Sequence, residues 1–485
     1  MLTYKQIPAA LRYPGVYIEV DGSRAGLGTD MPAMLLVGQK LATGTAAAGE
    51  VVQISSVQDA IAKFGAGSAL AQMAAKYRAI DTTFDLWALP YADSGVGTKA
   101  TGTLTVTAAP TAAGVLSLYI AGRLVQVAVT ATMVVADVAA AIVAAITAAD
   151  VPVTATAAAG VVTVSAKHKG TIGNGIDLRI SLYGEDRPAG LAVTVVAMAG
   201  GAGDPAPGDL AAILGTRWFR YVCLGMSDAA TMAAWHTESQ RRYAPPIQSG
   251  FRIFTAFRGD YASTVTFGTA RNAEHIAAMS LELNPTPTWE AAAVVAAAAA
   301  PKLFANPAQS LEDTPLPGII GASYFDWTNA NSLLFKGMSV MKVAKDGTCT
   351  IKRLVTMYQT KADGSADDAF LDINTPELME RIRREQMSAA VARFTGSAAA
   401  KNNDGFRPGL RITTVDDVRA MLLTLYRSTL MFEYGWVQDY EFYKANLIVE
   451  QDPTNPSRFN YRDTPVLLSP FYILAGRGEF RKVAV

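Results

Sequence analysis

Phe219-Arg-Tyr-Val-Cys-Leu224, Phe251-Arg-Ile-Phe-Thr-Ala256 and the run from His275 to Leu281 decide how this chain is read. Each is short and largely apolar. Ser227 or Asp228 offers a cap for a helix through Tyr243, and a shorter helical piece precedes His275. Strands and helices alternating at this spacing predict parallel βαβ units. Toward the N-terminus, Ala33-Met-Leu-Leu-Val-Gly38 has the unbroken apolar character of a strand covered on both faces. Helical patterns at Val57 to Phe64 and Ala69 to Tyr77 come next, and Phe84-Asp-Leu-Trp-Ala-Leu89 restores the strand signal. These pieces make one α/β unit, interrupted between them.

The interruption is a change of composition. From Tyr91 to about Asp204 the chain is dominated by Ala, Thr, Val and Gly, and Gly102 to Thr107, Val115 to Ala121 and Arg123 to Val129 alternate apolar with small or polar residues. Ala121-Gly122 sits where a tight hairpin turn is needed, so these strands are expected to be antiparallel. One helix is expected around Val134 to Ala148, with strands at Val161 to Ser165 and Ile176 to Leu182. The Gly- and Pro-rich stretch from Ala199 to Gly208 closes the segment like a linker. Residues 95–203 are therefore expected to be an inserted peripheral β-rich domain within an α/β core of 31–94 and 204–336.

Beyond Gly337 a hairpin is expected, Met338 to Ala344 against Thr348 to Tyr358, turning at Lys345-Asp346-Gly347. Thr375-Pro376-Glu377 reads as an N-cap followed by proline at the first helical position, and Met387, Ala390, Val391 and Phe394 fall on one face of that helix. Thr414 and Asp417 open a second helix as a short capping box, with Val415, Val418, Leu422 and Leu425 as its stripe. Ala445 to Gln451 and Leu467 to Leu474 then read as strands, with Pro453, Pro456, Pro465 and Pro470 favouring edge positions. The fold class is α/β, mixed α+β overall: a discontinuous α/β core, the inserted mainly antiparallel β domain, a C-terminal α+β domain at 337–464, and extended terminal arms at 1–30 and 465–485. Val16, Tyr17, Ile18 and Val20 in one arm, and Phe471, Tyr472, Ile473 and Leu474 in the other, are the candidate intersubunit contacts.

Composition narrows the function. With 42 basic and 42 acidic residues in 485, the chain has no net positive field for nucleic acid or an acidic membrane surface. No apolar run reaches the roughly 20 residues of a bilayer span, and Ala291 to Ala300, bounded by Glu290 and Pro301, reads as a buried helix. The first residues lack the apolar stretch of a secretory signal. Two cysteines, Cys223 and Cys349, suit reduced core thiols, so the chain is expected to stay in the cytosol where it is made.

His168, His236 and His275 stand in no catalytic or metal-ligand spacing and are expected to be structural. Gly170-Thr-Ile-Gly-Asn-Gly175 lacks the lysine of a phosphate loop and reads as a turn. The acidic stretch Asp363 to Ala369 has the wrong spacing for calcium and reads as a solvated loop. Arg381, Arg383, Arg384 and Glu385 are expected on an outer helix face, solvated or in an intersubunit contact, with phosphate binding as the lesser reading. No catalytic residue, cofactor or metal is expected.

Absent chemistry together with two extended apolar ends points to assembly. Ile7-Pro8-Ala9, Arg12-x-Pro14-Gly15-Val16-Tyr17 and Ser23-Arg24-Ala25, then Arg271-Asn272-x-Glu274-His275, Thr356-Met-Tyr-Gln-Thr360 and Asp367-Asp-Ala-Phe-Leu-Asp-Ile-Asn374, resemble the contractile tail sheath proteins of Mu-like bacteriophages. The resemblance implies a virion tail subunit, assembled in the host cytoplasm, that stacks in rings as a helical homo-oligomer around the tail tube protein. It implies strand exchange between neighbours, contacts to baseplate and tail terminator proteins, no direct nucleic acid and no membrane insertion. Contraction would then drive the tube through the host envelope. Two other readings stand beside it: the sheath of a bacterial contractile injection or pyocin-like particle, and an α/β enzyme with a carbohydrate-binding insertion.

Overall fold

The computed structural model describes residues 32–402, 405 and 409–481. Strand β1 (Ala33–Gln39) is buried along nearly its whole length, as its apolar run requires. After the short β2 (Val52–Gln53) come helices α1 (Val57–Phe64) and α2 (Ala69–Arg78), capped by the side chains of Ser56 and Ser68, and then β3 (Asp85–Tyr91).

The next segment forms two antiparallel sheets. Its elements are β4 (Lys99–Ala108), β5 (Gly114–Ile120), β6 (Arg123–Val129), α3 (Val135–Ala148), β7 (Val153–Ala158), β8 (Val161–Lys169), β9 (Leu178–Ile180) and β10 (Ala192–Ala199). They pair in the orders β10-β4-β8-β7 and β6-β5-β9. The β5–β6 hairpin turns at Ala121 and Gly122 with φ of 53° and 76°, the positive values a two-residue turn of this kind demands. β7 and β10 are not evident in the sequence because Ala and Val on both faces blur the alternation. The apolar interior of this segment is continuous with one face of the α/β body.

The α/β rhythm resumes with α4 (Leu210–Leu214), β11 (Tyr221–Leu224), α5 (Ala229–Tyr243), β12 (Arg252–Phe257), α6 (Tyr261–Thr269), β13 (Ile276–Ser280), α7 (Thr288–Ala305), α8 (Trp327–Leu334), β14 (Met338–Val343) and β15 (Cys349–Arg353). One eight-stranded sheet collects them in the order β15-β14-β13-β12-β11-β1-β3-β2, with β14 through β3 parallel and the outermost pairs antiparallel. The β14–β15 hairpin, expected in the C-terminal unit, therefore completes this sheet, so the 336/337 boundary cuts through it. Its outer border is occupied: Ile351 N donates to Thr314 O, and Asp313 N and Leu316 N donate to Ile351 O and Cys349 O. Helix α7 lies against β11, β12 and α2, its alanines permitting close approach to the strands. Pro301 is expected to bound it, but the helix continues to Ala305: Leu303 is fully buried, and Asn306 N closes the last turn on Lys302 O. Packing thus outweighs the roughly 3 kcal/mol that an interior proline costs.

The remaining elements are α9 (Asn374–Phe394), β16 (Ala398–Ala399), β17 (Ile412–Thr413), α10 (Val415–Thr424), a π-helix (Leu425–Glu433), β18 (Val437–Gln438), α11 (Tyr440–Asn446), β19 (Ile448–Gln451), β20 (Phe459–Arg462) and β21 (Val466–Leu467). Thr414 and Asp417 form the expected capping box. Thr375 does not cap α9. Its start is fixed instead by buried Asn374, whose amide donates to Pro307 O and Gln309 O at 2.7 and 2.9 Å. The final expected strand is mostly absent: only Val466–Leu467 pairs, with β18, and residues 468–481 form no ladder. Pro470 removes a donor, and among the described residues no strand lies alongside in the same chain. Among the described residues no helix is long and apolar enough to cross a membrane.

Candidate assembly surface and the charged junction behind it

Val16, Tyr17, Ile18 and Val20 lie outside the described residues. The other candidates do not act alike. Phe471, Ile473 and Leu474 are 72%, 76% and 87% exposed, a density of bare apolar side chain that a monomer in water has no use for. Tyr472 is half-buried, its ring 4.7 Å from the Arg353 guanidinium, which is itself paired with Asp372 through Nε and Nη2 at 2.9 and 3.0 Å. Burial pushes the Tyr472 phenol well above its ordinary range. Tyr472 therefore anchors the tail to the end of β15 while its neighbours stay bare.

Beside the tail's exit, α9, α10 and the β19–β20 hairpin enclose an apolar groove of about 440 Å³, lined by Met387, Ala390, Phe394, Val418, Phe459 and Tyr461. The β19–β20 and β18–β21 ladders are two strands each. Each leaves backbone groups that another strand can engage.

Helix α9, which lines this groove, is tied to the N-terminal end of the parallel sheet by a buried ionic junction. Glu377 of α9 is buried and accepts from Arg220 Nε and Nη2 at 2.9 and 2.7 Å and from the Tyr221 hydroxyl at 3.1 Å. Arg381 Nε and Arg252 Nε approach it at 3.4 Å. Burial raises this carboxyl, but Arg220, Arg252 and Arg381 together outweigh it and hold Glu377 down at about 2. One turn on, buried Glu380 pairs with Arg383 and Arg384. The Arg384 and Arg383 guanidinium groups lie over Trp218 and Tyr243 at 3.6 and 4.4 Å. The arginine group of α9 is thus an internal joint and not the outer face expected of it, because carboxylates one turn earlier draw it inward. A signal existed: Arg220 and Arg252 each follow a phenylalanine at the start of a strand, the same charged break in two successive βα units.

A second polar joint fixes the inserted segment. His168 Nε2 accepts from Ala69 N, the first amide of α2, at 3.0 Å, and its Nδ1 lies 2.8 Å from Asp93. The Gln39 amide donates to Asp93 and to Lys169 O, both at 2.9 Å. In open parallel sheets a ligand phosphate binds just beyond the strand carboxyl ends at a helix N-terminus. Here the α2 amide at that place is taken by a side chain of the chain itself. Arg258 with Asp177 at 2.6 Å and Arg123 with Glu290 at 2.8 Å extend the joint.

The other singled-out residues are structural in their contacts. His275 is buried against Tyr243, with Ser239 Oγ 3.2 Å away, and burial followed by Arg252 depresses it well below the usual imidazole range. His236 lies 3.9 Å from Glu274. Residues 171–175 form a single turn tied by Asp204 to Thr171 N at 2.6 Å, and Asp363 closes a turn onto Ser365 N at 2.9 Å. Both cysteines are buried and unpaired. No group of three or more metal-ligating side chains occurs among the described residues.

A bare apolar tail, open short ladders and polar groups engaged in internal joints are the features that the described residues present at this surface. No family model matches the chain. It is 34% identical, over 99% of its own length and 99% of the relative's, to the Mu-like prophage FluMu tail sheath protein of Haemophilus influenzae. The chain belongs to the tail sheath proteins of Mu-like phages, and its role in the tail is structural. Among solved structures it resembles the sheath tail protein of Desulfitobacterium hafniense, at 14% identity over 94% of this chain and all of that one, with a TM-score of 0.45. The helical sheath of the anti-feeding prophage in its contracted state is 12% identical over 97% of this chain and 99% of that one, again with a TM-score of 0.45.

Proposed function

We propose that the chain polymerises as a helical stack of rings around a tail tube and contracts to drive that tube through a host envelope. The arms link neighbours: Val16, Tyr17, Ile18 and Val20 at one end, and Phe471, Tyr472, Ile473 and Leu474 at the other, add strands to the open ladders and groove of the next subunit. Heterologous contacts of this sort grow into an open helix when the rotation does not close. The extended polymer is a kinetically trapped state, and contraction re-packs nearly rigid subunits while the donated strands keep them joined. Residues 95–203 form an inserted domain displayed outward. Baseplate and tail terminator proteins bound the stack, which is assembled in the host cytoplasm and works without catalysis.

The observation that carries this reading is the bare tail beyond Val466–Leu467, apolar and, among the described residues, without a ladder in its own chain. Sedimentation tests it. Wild-type protein should pellet as polymer, while chains lacking 1–21 or 469–485 should remain in solution with a normal circular dichroism spectrum. Truncated chains that pellet like wild type would overturn the strand-exchange reading.

A further inference from the structure

The rarest local geometry among the described residues is the π-helix Leu425–Glu433, nine residues long, continuing directly from α10. Such i to i+5 winding is ordinarily confined to a single-turn bulge inside an α-helix, often at functional positions. A run this long persists only where surrounding contacts impose it. Here one face supplies them: Tyr426 and Leu430 are buried and Leu425 and Met431 pack beside them, while Arg427, Ser428, Phe432 and Glu433 are exposed.

Tyr426 and Leu430 make its contacts to the strands downstream. The Tyr426 ring stacks on Tyr443 at 3.7 Å. Its hydroxyl donates to Gln438 O of β18 at 2.5 Å and accepts from Val466 N of β21 at 3.2 Å. One phenol thus bridges both strands of the ladder from which the C-terminal tail departs. Leu430 O accepts from Trp436 N at 2.8 Å, and Thr429 O from Tyr434 N at 2.9 Å, fixing the exit of the π turn. Each residue taken up or released by helical winding turns the downstream chain by about 100° and moves it about 1.5 Å along the axis.

We propose that Leu425–Glu433 is a two-state winding element that sets the aim of the tail. In the π winding, Tyr426 holds β18 and β21 in place. Rewinding to α geometry withdraws the phenol from Gln438 and Val466 and re-aims β21 with the residues after it. This rests on the reading of the chain as a contracting subunit with a donated tail, since that subunit must keep a link while its neighbours rotate. A bistable local element supplies such give without melting the body.

Hydrogen exchange on the full-length protein tests it. Deleting exposed Ser428 removes one residue from the π turns and should leave α winding: amides from 429 to 436 gain protection, while Val466 and Leu468 exchange about tenfold faster. Tyr426→Phe keeps the ring stack and removes both bridges, so Val466 should again exchange faster with α10 unchanged. Unaltered Val466 and Leu468 protection in either folded variant would overturn the proposal. Sedimentation of wild-type protein is scored separately: failure to polymerise would remove the sheath reading, whereas the exchange result stands on the monomer.

Discussion

Replacing Glu377 with alanine removes the one carboxylate that Arg220, Arg252 and Arg381 share inside the junction between α9 and the parallel sheet. Two of those cations are buried, so the loss leaves positive charge with no counter-ion in a poorly solvated place. Breaking a buried pair from one side costs about 3–5 kcal/mol. An independent route agrees: lowering a carboxyl from 4.5 to about 2 corresponds to about 3 kcal/mol of preferential stabilisation of its charged form. The expected outcome is a fall in melting temperature of about 3–5 °C, read by circular dichroism, together with earlier proteolysis between β15 and α9. The effect has a definite pH dependence. A depressed carboxyl contributes its full stability above its unfolded value of 4.5 and loses it as pH falls toward about 2, so the gap between wild type and Glu377→Ala should narrow across that window. Glu377→Gln retains shape and one acceptor and should fall between the two. A Glu377→Ala chain that melts with wild type at pH 7 would refute the view that this charge holds α9 to the body.

Removing Met1 to Asp21, or replacing Ile18 with proline, should leave a monomer of near-normal melting temperature that no longer sediments as polymer; an unfolded monomer would place that arm in its own subunit's core. A chain in which 95–203 is replaced by a short linker should fold and polymerise, but melt earlier, because Glu290 loses Arg123 and the α2 N-terminus loses His168. Burial pushes the Cys349 thiol up to about 11 and Cys223 higher still, so neither should react with a thiol reagent at pH 8 until denaturant unfolds the chain. Rapid labelling of native protein would show that the sheet opens locally.

The parallel sheet is legible in the sequence because β11, β12 and β13 are short apolar runs, with Asp228 and Asp260 capping the helices between them. The sheet's far border is less so. The β14–β15 hairpin carries its own turn signal at Gly347, φ 84°, but nothing in it tells which sheet it joins. Pro301 misleads because the local rule for proline gives way where the alanine face of α7 is wholly buried. The π-helix leaves no mark at all, since its residues suit an α-helix and the contacts that accompany the wider winding, such as Tyr426 between β18 and β21, are tertiary. Of the candidate surface, the apolar tail is visible in sequence, whereas its anchoring through Tyr472 depends on Arg353, more than a hundred residues away.

A long polymer draws on many copies of one chain kept together in solution, where a wide sheet with an open border is a template for fibres. Here residues 313–316 fill one border of the eight-stranded sheet, and the two-residue β2 ends the other. The ladders left open in the C-terminal third have strands of only two to four residues, below the length that sustains pairing on its own. Under the proposed strand exchange, a waiting subunit would receive a neighbour's strand without recruiting copies at random, and growth would begin wherever another surface first brings subunits into line.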